Sequence, residues 1–310
     1  MTESGAKQNR YSKRSDLSSG HSQSSVHVSG PLPGGLYIIA TPIGNARDIT
    51  LRALDVLHSA DVIVCEDTRV TSKLLSIHAI SRPLIAYHEH NAGTTGPAII
   101  KRLKEGQTVA LVSDAGTPLI SDPGYRLVQA CYEEDLFVTH LPGPSSVLSA
   151  LVLAGLPTDR FLFAGFLANK SGKRQADLME LKAIPSSLVF LESPKRLAKS
   201  LGDMAMVLGP REAAIGRELT KKFEEVRKGP LDELADHYEA AGAPRGEVTI
   251  VVAPPLSTDA QATPDDIDRL LGDALESLSL KDAVTAVAAA SGAVKRDVYA
   301  RALELKGQHK

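Results

Sequence analysis

Cysteine is scarce: the 310-residue chain has two, Cys65 and Cys131, each inside an apolar run (VIVCED and LVQACYEE). A disulfide framework needs more cysteines in a shorter chain, so a reducing compartment is expected, with both thiols as small buried hydrophobes. No run reaches the roughly 18 apolar residues of a membrane span. A membrane partner is therefore not expected, and a cytoplasmic location is. Charge of one sign is missing too, since the formal net charge is −2. That excludes a generally basic nucleic-acid-binding chain, though not a local basic face. Large apolar side chains are few before Leu36, where serine-rich sequence carries Lys7, Arg10, Lys13 and Arg14. Leu17, Val26 and Val28 cannot form the apolar face of a transit peptide, and nothing offsets the entropy of ordering. Residues 1–35 read as a disordered extension.

What remains can build a core. Hydrophobic residues make up 43% of the chain, and its length suits two domains. From Leu36, short apolar runs alternate with helical patterns: LYIIAT (36–41), DVIVCED (61–67), PLIAYHE (83–89), TVALVSD (108–114) and FVTHLPG (137–143). Continuous apolar strands between helices predict a parallel sheet covered on both faces, over 36–142. A second domain is expected over 143–255. It opens with a small-residue helix (145–155) and continues through FLFAGF (161–166), LVFLES (188–193), AAIGREL (213–219), FEEVRKG (223–229) and GEVTIVV (246–252). Strands following one another closely imply a mixed sheet there. After a linker, APPLSTDAQATP (253–264), the pattern over 264–308 predicts a small helical module resembling a helix-turn-helix. From Leu280 onward, six basic residues face Asp282, Asp297 and Glu304, a balance that is locally basic but common on solvated helices.

The loops carry the chemistry. In open parallel sheets ligands sit beyond the carboxyl ends of the strands. Three glycine-bearing loops fall there: TPIGN (41–45), SDAGTPLISDPG (113–124) and PGPSS (142–146). TPIGN alone passes for an ordinary turn. SDAGTPLISDPG concentrates two glycines, two prolines and two aspartates, and a loop of that kind is shaped around something. Ser145 and Ser146 are placed to cap the next helix and face the cleft. Competing motifs fail. No GxGxxG follows the first strand, GFLANKSGKR (165–174) lacks the spacing of a phosphate loop, and HEH (88–90) has no zinc-type partner segment. GPSSV lacks the last glycine of a nucleophile elbow.

Taken in order, LYIIATPIGNARDITLRAL, CEDTR, LVSDAGTPLISDPGYRLV, LPGPSSVLSAL, GLPTDRFLFAGFL, FLESPKRL, RELTKKFEEV and RGEVTIVV resemble the tetrapyrrole-methylase superfamily, from about Leu36 to Val252. Within it they are most similar to the family that 2′-O-methylates a cytidine ribose in the decoding region of 16S ribosomal RNA. The resemblance implies two α/β domains, S-adenosyl-L-methionine held between them, and a homodimer. Carried onto this chain, the cofactor contacts are Thr41, Pro42, Asp114, Ala115, Gly116, Thr117, Ser145, Ser146 and Val147. Leu191, Gly216, Gly246 and Glu247 join them from the second domain.

Methyl transfer to a ribose hydroxyl needs in-line positioning and a group that takes the proton. Asp67, Glu218 and Lys221 are the catalytic candidates. They lie in two charged clusters, EDTR (66–69) and RELTK (217–221), at the ends of apolar segments where the domains can face each other. Either a carboxylate or a lysine of depressed pKa would serve; an inter-domain salt-bridge network is the plainer alternative. Arg69, Lys170, Lys173, Arg174, Arg217, Lys295, Arg296 and Arg301 are the candidate RNA contacts. The expected partner is 16S rRNA, within the 30S subunit. Two rivals remain: a tetrapyrrole methyltransferase, which needs neither basic loop nor helical tail, and a non-catalytic RNA- or nucleotide-binding factor.

Overall fold

The apolar runs alternate side chains between two faces, and the packing follows that alternation. The computed structural model describes residues 32–255, 264–291 and 293–308, so almost all of the expected extension, and most of the linker, lie outside the described residues. Strands β1 (Gly35–Ile39), β2 (Val62–Cys65), β3 (Leu84–Ala86), β4 (Thr108–Val112) and β5 (Val138–Leu141) form one all-parallel sheet in the order β3-β2-β4-β1-β5. Ile39, Ile63, Cys65, Ala110 and Val112 pack on one face, against α1 (Leu51–Ser59) and α2 (Thr68–Ile77). Their neighbours Leu36, Ile38, Val62, Val64, Val109 and Leu111 pack on the other, against α3 (Ala92–Lys104) and α4 (Tyr125–Glu133). A period of two with both faces covered is what a doubly wound sheet requires. Both cysteines are free and fully buried.

The second sheet is mixed. It comprises β6 (Phe161–Phe166), β7 (Ser187–Glu192), β8 (Glu212–Arg217), β9 (Glu225–Pro230) and β10 (Val248–Val252), ordered β6-β7-β10-β8-β9. Only β6 and β7 run parallel. One face carries α6 (Ser171–Leu181), α7 (Leu197–Leu208) and α8 (Leu231–Ala241) over a core centred on Phe190, Leu188 and Ile250. The other face receives α5 (Ser146–Ala154) together with Ile43 from the loop after β1. The two domains are thus joined by a shared apolar layer.

Helices α9 (Pro264–Ser277), α10 (Leu280–Ser291) and α11 (Lys295–Gln308) pack around Leu271, Val284, Val287, Val298 and Ala302 as a separate small core. Boundaries differ from expectation by a few residues. Thr50 caps α1 after a 3-10 turn (Ala46–Asp48), and the first residues of FEEVRKG belong to a loop, not to β9. No helix among the described residues is long and apolar enough to cross a membrane.

Candidate active site

The loops after β1 and β4 are tied together beyond the sheet edge. Thr41 and Gly116 exchange backbone hydrogen bonds of 2.8 and 3.0 Å, and the Thr41 hydroxyl donates to the Ser113 carbonyl at 3.1 Å. Thr41 is 1% exposed, so it shapes the loop from beneath. Above it opens a cleft of about 420 Å³. Asp114, Ala115, Gly116 and Thr117 form one wall, Ser145, Ser146 and Val147 a second, and Leu191, Gly246 and Glu247 a third. Neither Thr41 nor Pro42 lines it. Gly216 is also absent from the walls: a Cβ there would sit 3.3 Å from Leu219 and 3.6 Å from Ala150, packing α5 instead. Gly246 has φ +94, and a Cβ on it would overlap the Glu218 carboxylate.

Sequence reasoning missed several lining residues. Ile120, Ser121 and Asp122 come from the far end of the same loop, and Glu192, Ser193 and Pro194 from the end of β7. Phe166 adds an aromatic face. The run SDP and the motif FLESP carried the signal, had strand ends been weighed as heavily as glycines. The cleft therefore offers an apolar strip for a flat ring and carboxylates for hydroxyls or a cation. It also offers the N-terminus of α5, capped by Ser145 accepting from Leu148 N–H at 3.3 Å, where a carboxylate is favoured. This donor set fits an amino-acid-bearing nucleoside.

Acids gather at one end. The Asp67 N–H donates to Asp114 Oδ1 at 3.0 Å, linking EDTR to the cleft loop. Burial pushes the Glu66 and Asp114 carboxyls up. Asp122 goes further: burial, opposed by the Ser113 hydroxyl and then reinforced by the Glu66 and Asp114 charges, pushes it up to about 6. Asp67 moves the other way, to about 2, because the Arg69 side chain and N–H hydrogen-bond to it, with the guanidinium at 2.6 Å. No group of three or more His, Cys, Asp or Glu among the described residues could hold a metal ion.

Across the cleft, Lys221 binds Glu218 at 2.9 Å and Glu247 at 3.0 Å, and its stem lies against Gly44 of the first domain. Burial disfavours the ammonium, but the two carboxylates outweigh it and raise the Lys221 pKa. Lys221 is therefore not the depressed lysine allowed for in the sequence. Its ion pairs, to Glu218 and Glu247, lie wholly within the second domain, so they are not the inter-domain salt-bridge network offered as the plainer alternative either. Backbone strain concentrates in the same two loops, where Leu119, Ser121, Glu218 and Thr220 all have positive φ. Non-glycine residues hold that conformation only where their surroundings enforce it.

Residues 35–235 match the family described as Tetrapyrrole (Corrin/Porphyrin) Methylases, and residues 261–306 the RsmI C-terminal HTH domain. The protein named Ribosomal RNA small subunit methyltransferase I of Mesorhizobium japonicum is 54% identical over 89% of this chain and 94% of its own length. The chain belongs to the ribosomal RNA small subunit methyltransferase I family. A family member from Escherichia coli O157:H7 is 44% identical over 88% of the chain and 96% of that protein. Among solved structures, a cobalt precorrin-4 methyltransferase aligns with a TM-score of 0.54 at 19% identity, covering 70% of this chain and 94% of that one. The uroporphyrin-III C-methyl transferase of Thermus thermophilus, complexed with S-adenyl homocysteine, aligns at 0.52 and 19%, over 71% and 97%. At such identities these structures speak for the fold alone.

The basic residues proposed for this family member divide sharply. Lys170, Lys173, Lys295 and Arg296 are exposed. Arg174 is 4% exposed and bonded to Asp203 at 2.5 Å, and it also donates to the Ala168 and Asn169 carbonyls. Its position inside α6 turns it into the core, which removes it from any RNA surface. Arg301 is committed as well, clamping α11 to α9 through Asp268 at 2.5 and 2.6 Å and reaching Glu304. Arg217 is held by Glu225 at 2.9 Å, whereas Arg69, though exposed, folds back on Asp67.

Proposed function

We propose that this chain transfers a methyl group from S-adenosyl-L-methionine to the 2′-hydroxyl of a cytidine in the decoding region of 16S rRNA. The observation that carries the reading is the cleft itself: the cofactor loops of a chain in this family converge on one cavity with a matching donor set. When bound there, S-adenosyl-L-methionine supplies an electrophilic methyl on a sulfonium whose departure needs little help. The chain's work is to position the hydroxyl and take its proton. Asp114 and Asp122 face the cleft, and the α5 N-terminus and Phe166 orient the ligand's polar and flat parts.

The proton acceptor is Asp122. It lines both the cleft and the adjoining depression beside Glu66 and His90, no described cation neutralises it, and its raised pKa makes it a stronger base than an ordinary carboxylate. Asp67, Glu218 and Lys221 then act by holding the two strained loops. Lys170 and Lys173, with Lys295 and Arg296 of the helical module, face RNA phosphates.

The assembled 30S subunit in the cytoplasm is the proposed substrate, and the working unit a homodimer. Helix α5 is apolar all round and leaves Leu148 and Val152 exposed at 51% and 75%, a face that a second copy would cover. Sedimentation measures that association directly. The decisive experiment is methyl transfer from labelled S-adenosyl-L-methionine to 30S subunits, with naked 16S rRNA alongside, followed by mapping of the modified nucleotide. A modified ribose at a decoding-region cytidine is expected. Tight cofactor binding without transfer to either RNA would return the reading to a small-molecule substrate.

A further inference from the structure

A depression of about 490 Å³ adjoins the cofactor cleft at the carboxyl edge of the first sheet and shares Ser121 and Asp122 with it. Glu66, the first residue after β2, and His88 and His90, which follow β3, stand in its walls. Glu66 and both histidines also line a second depression of about 450 Å³, which reaches Asp114 of the cleft loop. The loops that carry these side chains are pinned. Immediately after Glu66, the Asp67 N–H donates to Asp114 Oδ1 at 3.0 Å. Asn91 Oδ1 accepts from the His88 N–H at 2.8 Å, and Asn91 Nδ2 donates to the Ala86 carbonyl at 2.9 Å.

No lysine or arginine among the described residues lines the first depression, so it repels phosphate and suits an uncharged ring. Nor do its histidines and acids make up a group that could hold a metal ion. His88 Nδ1 is buried and makes no hydrogen bond. A buried donor without an acceptor is rarer than a buried acceptor without a donor, so the ring proton belongs on Nε2. Position narrows the occupant further. A ribose whose 2′-hydroxyl reaches Asp122 carries its base on the neighbouring carbon. With the cofactor in the cleft, the depression is the space beside Asp122 left for that base.

We propose that this depression holds the base of the methylated nucleotide and that Glu66 selects cytosine there. The Glu66 carboxyl accepts from the N4 amine, the donor by which cytosine differs from uracil. The His88 Nε2–H donates to O2, which both pyrimidines share. Burial, then the Asp114 charge, pushes the Glu66 carboxyl up against the pull of His88, and a proton retained there adds a hydrogen bond to the cytosine N3. Uracil would set its O4 against a carboxyl oxygen and leave that group unpaired. The inference rests on the RNA-methylating reading above, and the test separates the two.

Unmethylated 30S subunits are prepared with cytidine or uridine at the target position, and methyl transfer to each is measured with the full-length chain. Wild type should favour cytidine by about 10–100-fold in kcat/KM. Glu66→Gln can turn either its carbonyl or its amide to the base, so it should lose most of that preference by gaining on uridine. Glu66→Asp should keep the preference at lower kcat/KM. His88→Ala should raise KM about tenfold for both substrates and leave their ratio unchanged. Cofactor affinity and Tm should stay as in wild type throughout, and the last two variants keep the test open should Glu66→Gln fail to fold. An unchanged ratio in Glu66→Gln, in an enzyme that still methylates cytidine, overturns the pocket and leaves the function standing. Lost cofactor affinity in Glu66→Gln would put the side chain in the cofactor site, and lost turnover on both substrates would put it in the chemistry; either also overturns the proposal. A wild-type chain that does not methylate cytidine-bearing subunits removes the function, and the pocket with it.

Discussion

Replacing Asp122 with asparagine should make the protein more stable and nearly inactive. Its carboxyl is pushed from 3.8 up to about 6, chiefly by burial. For a carboxyl raised in the folded state the sign is unfavourable to folding. The penalty is complete above the folded pKa, shrinks as pH falls, and vanishes below the unfolded value of 3.8. Two units correspond to a ceiling of about 3 kcal/mol, and partial solvent exposure reduces this to roughly 1–1.5 kcal/mol. Asparagine keeps the shape and removes the charge. Tm should therefore rise by about 2–5 °C at pH 8, with the gain about halved near pH 5. Turnover should fall by about 10²–10⁴-fold while cofactor affinity stays near wild type. Wild-type kcat should decline as pH drops through about 6, where Asp122 takes up its proton. Thermal unfolding across pH, run beside single-turnover methylation, reads both effects. A variant with full turnover, or a Tm gain independent of pH, refutes the assignment.

Other outcomes follow from contacts already described. Arg174→Ala leaves Asp203 buried and uncompensated, and should cost about 3–5 kcal/mol by urea denaturation. Lys170→Ala with Lys173→Ala should leave stability unchanged and reduce the log–log salt dependence of RNA affinity by about 1.5–2. Gly246→Ala should lower Tm and weaken cofactor binding in calorimetry, because the added Cβ drives Glu218 from Lys221 and strains a positive φ. Truncation after Pro255 should keep the two-domain Tm but weaken RNA binding; equal affinity would give the helical module another role.

Both sheets could be read from the chain because their strands are short apolar runs bounded by glycine and proline. The cleft loops could be read because glycine and proline mark sites where the backbone itself approaches a ligand. Side-chain direction could not. Arg174 and Lys173 are adjacent in one basic segment, yet one turns inward to Asp203 and the other outward. Helix α6 is too polar for its apolar face to decide which. Lys221 stood out in the sequence as a candidate, but its ion pairing did not, since one of its partners, Glu247, is distant in sequence. Asp122 was passed over because SDPG reads as turn chemistry, and only burial distinguishes its carboxylate from a turn-forming one.

Ile43 has a consequence for how this protein could be taken apart. It leaves the first sheet and lodges among Val147, Leu151, Val189 and Val251. The apparent border near residue 142 is therefore not a seam. A chimaera cut there would set Ile43 against a foreign surface, and a first domain expressed alone would expose an unfilled apolar plug. Modular exchange of substrate preference between relatives should succeed only when the TPIGN loop travels with the helix and sheet that receive it.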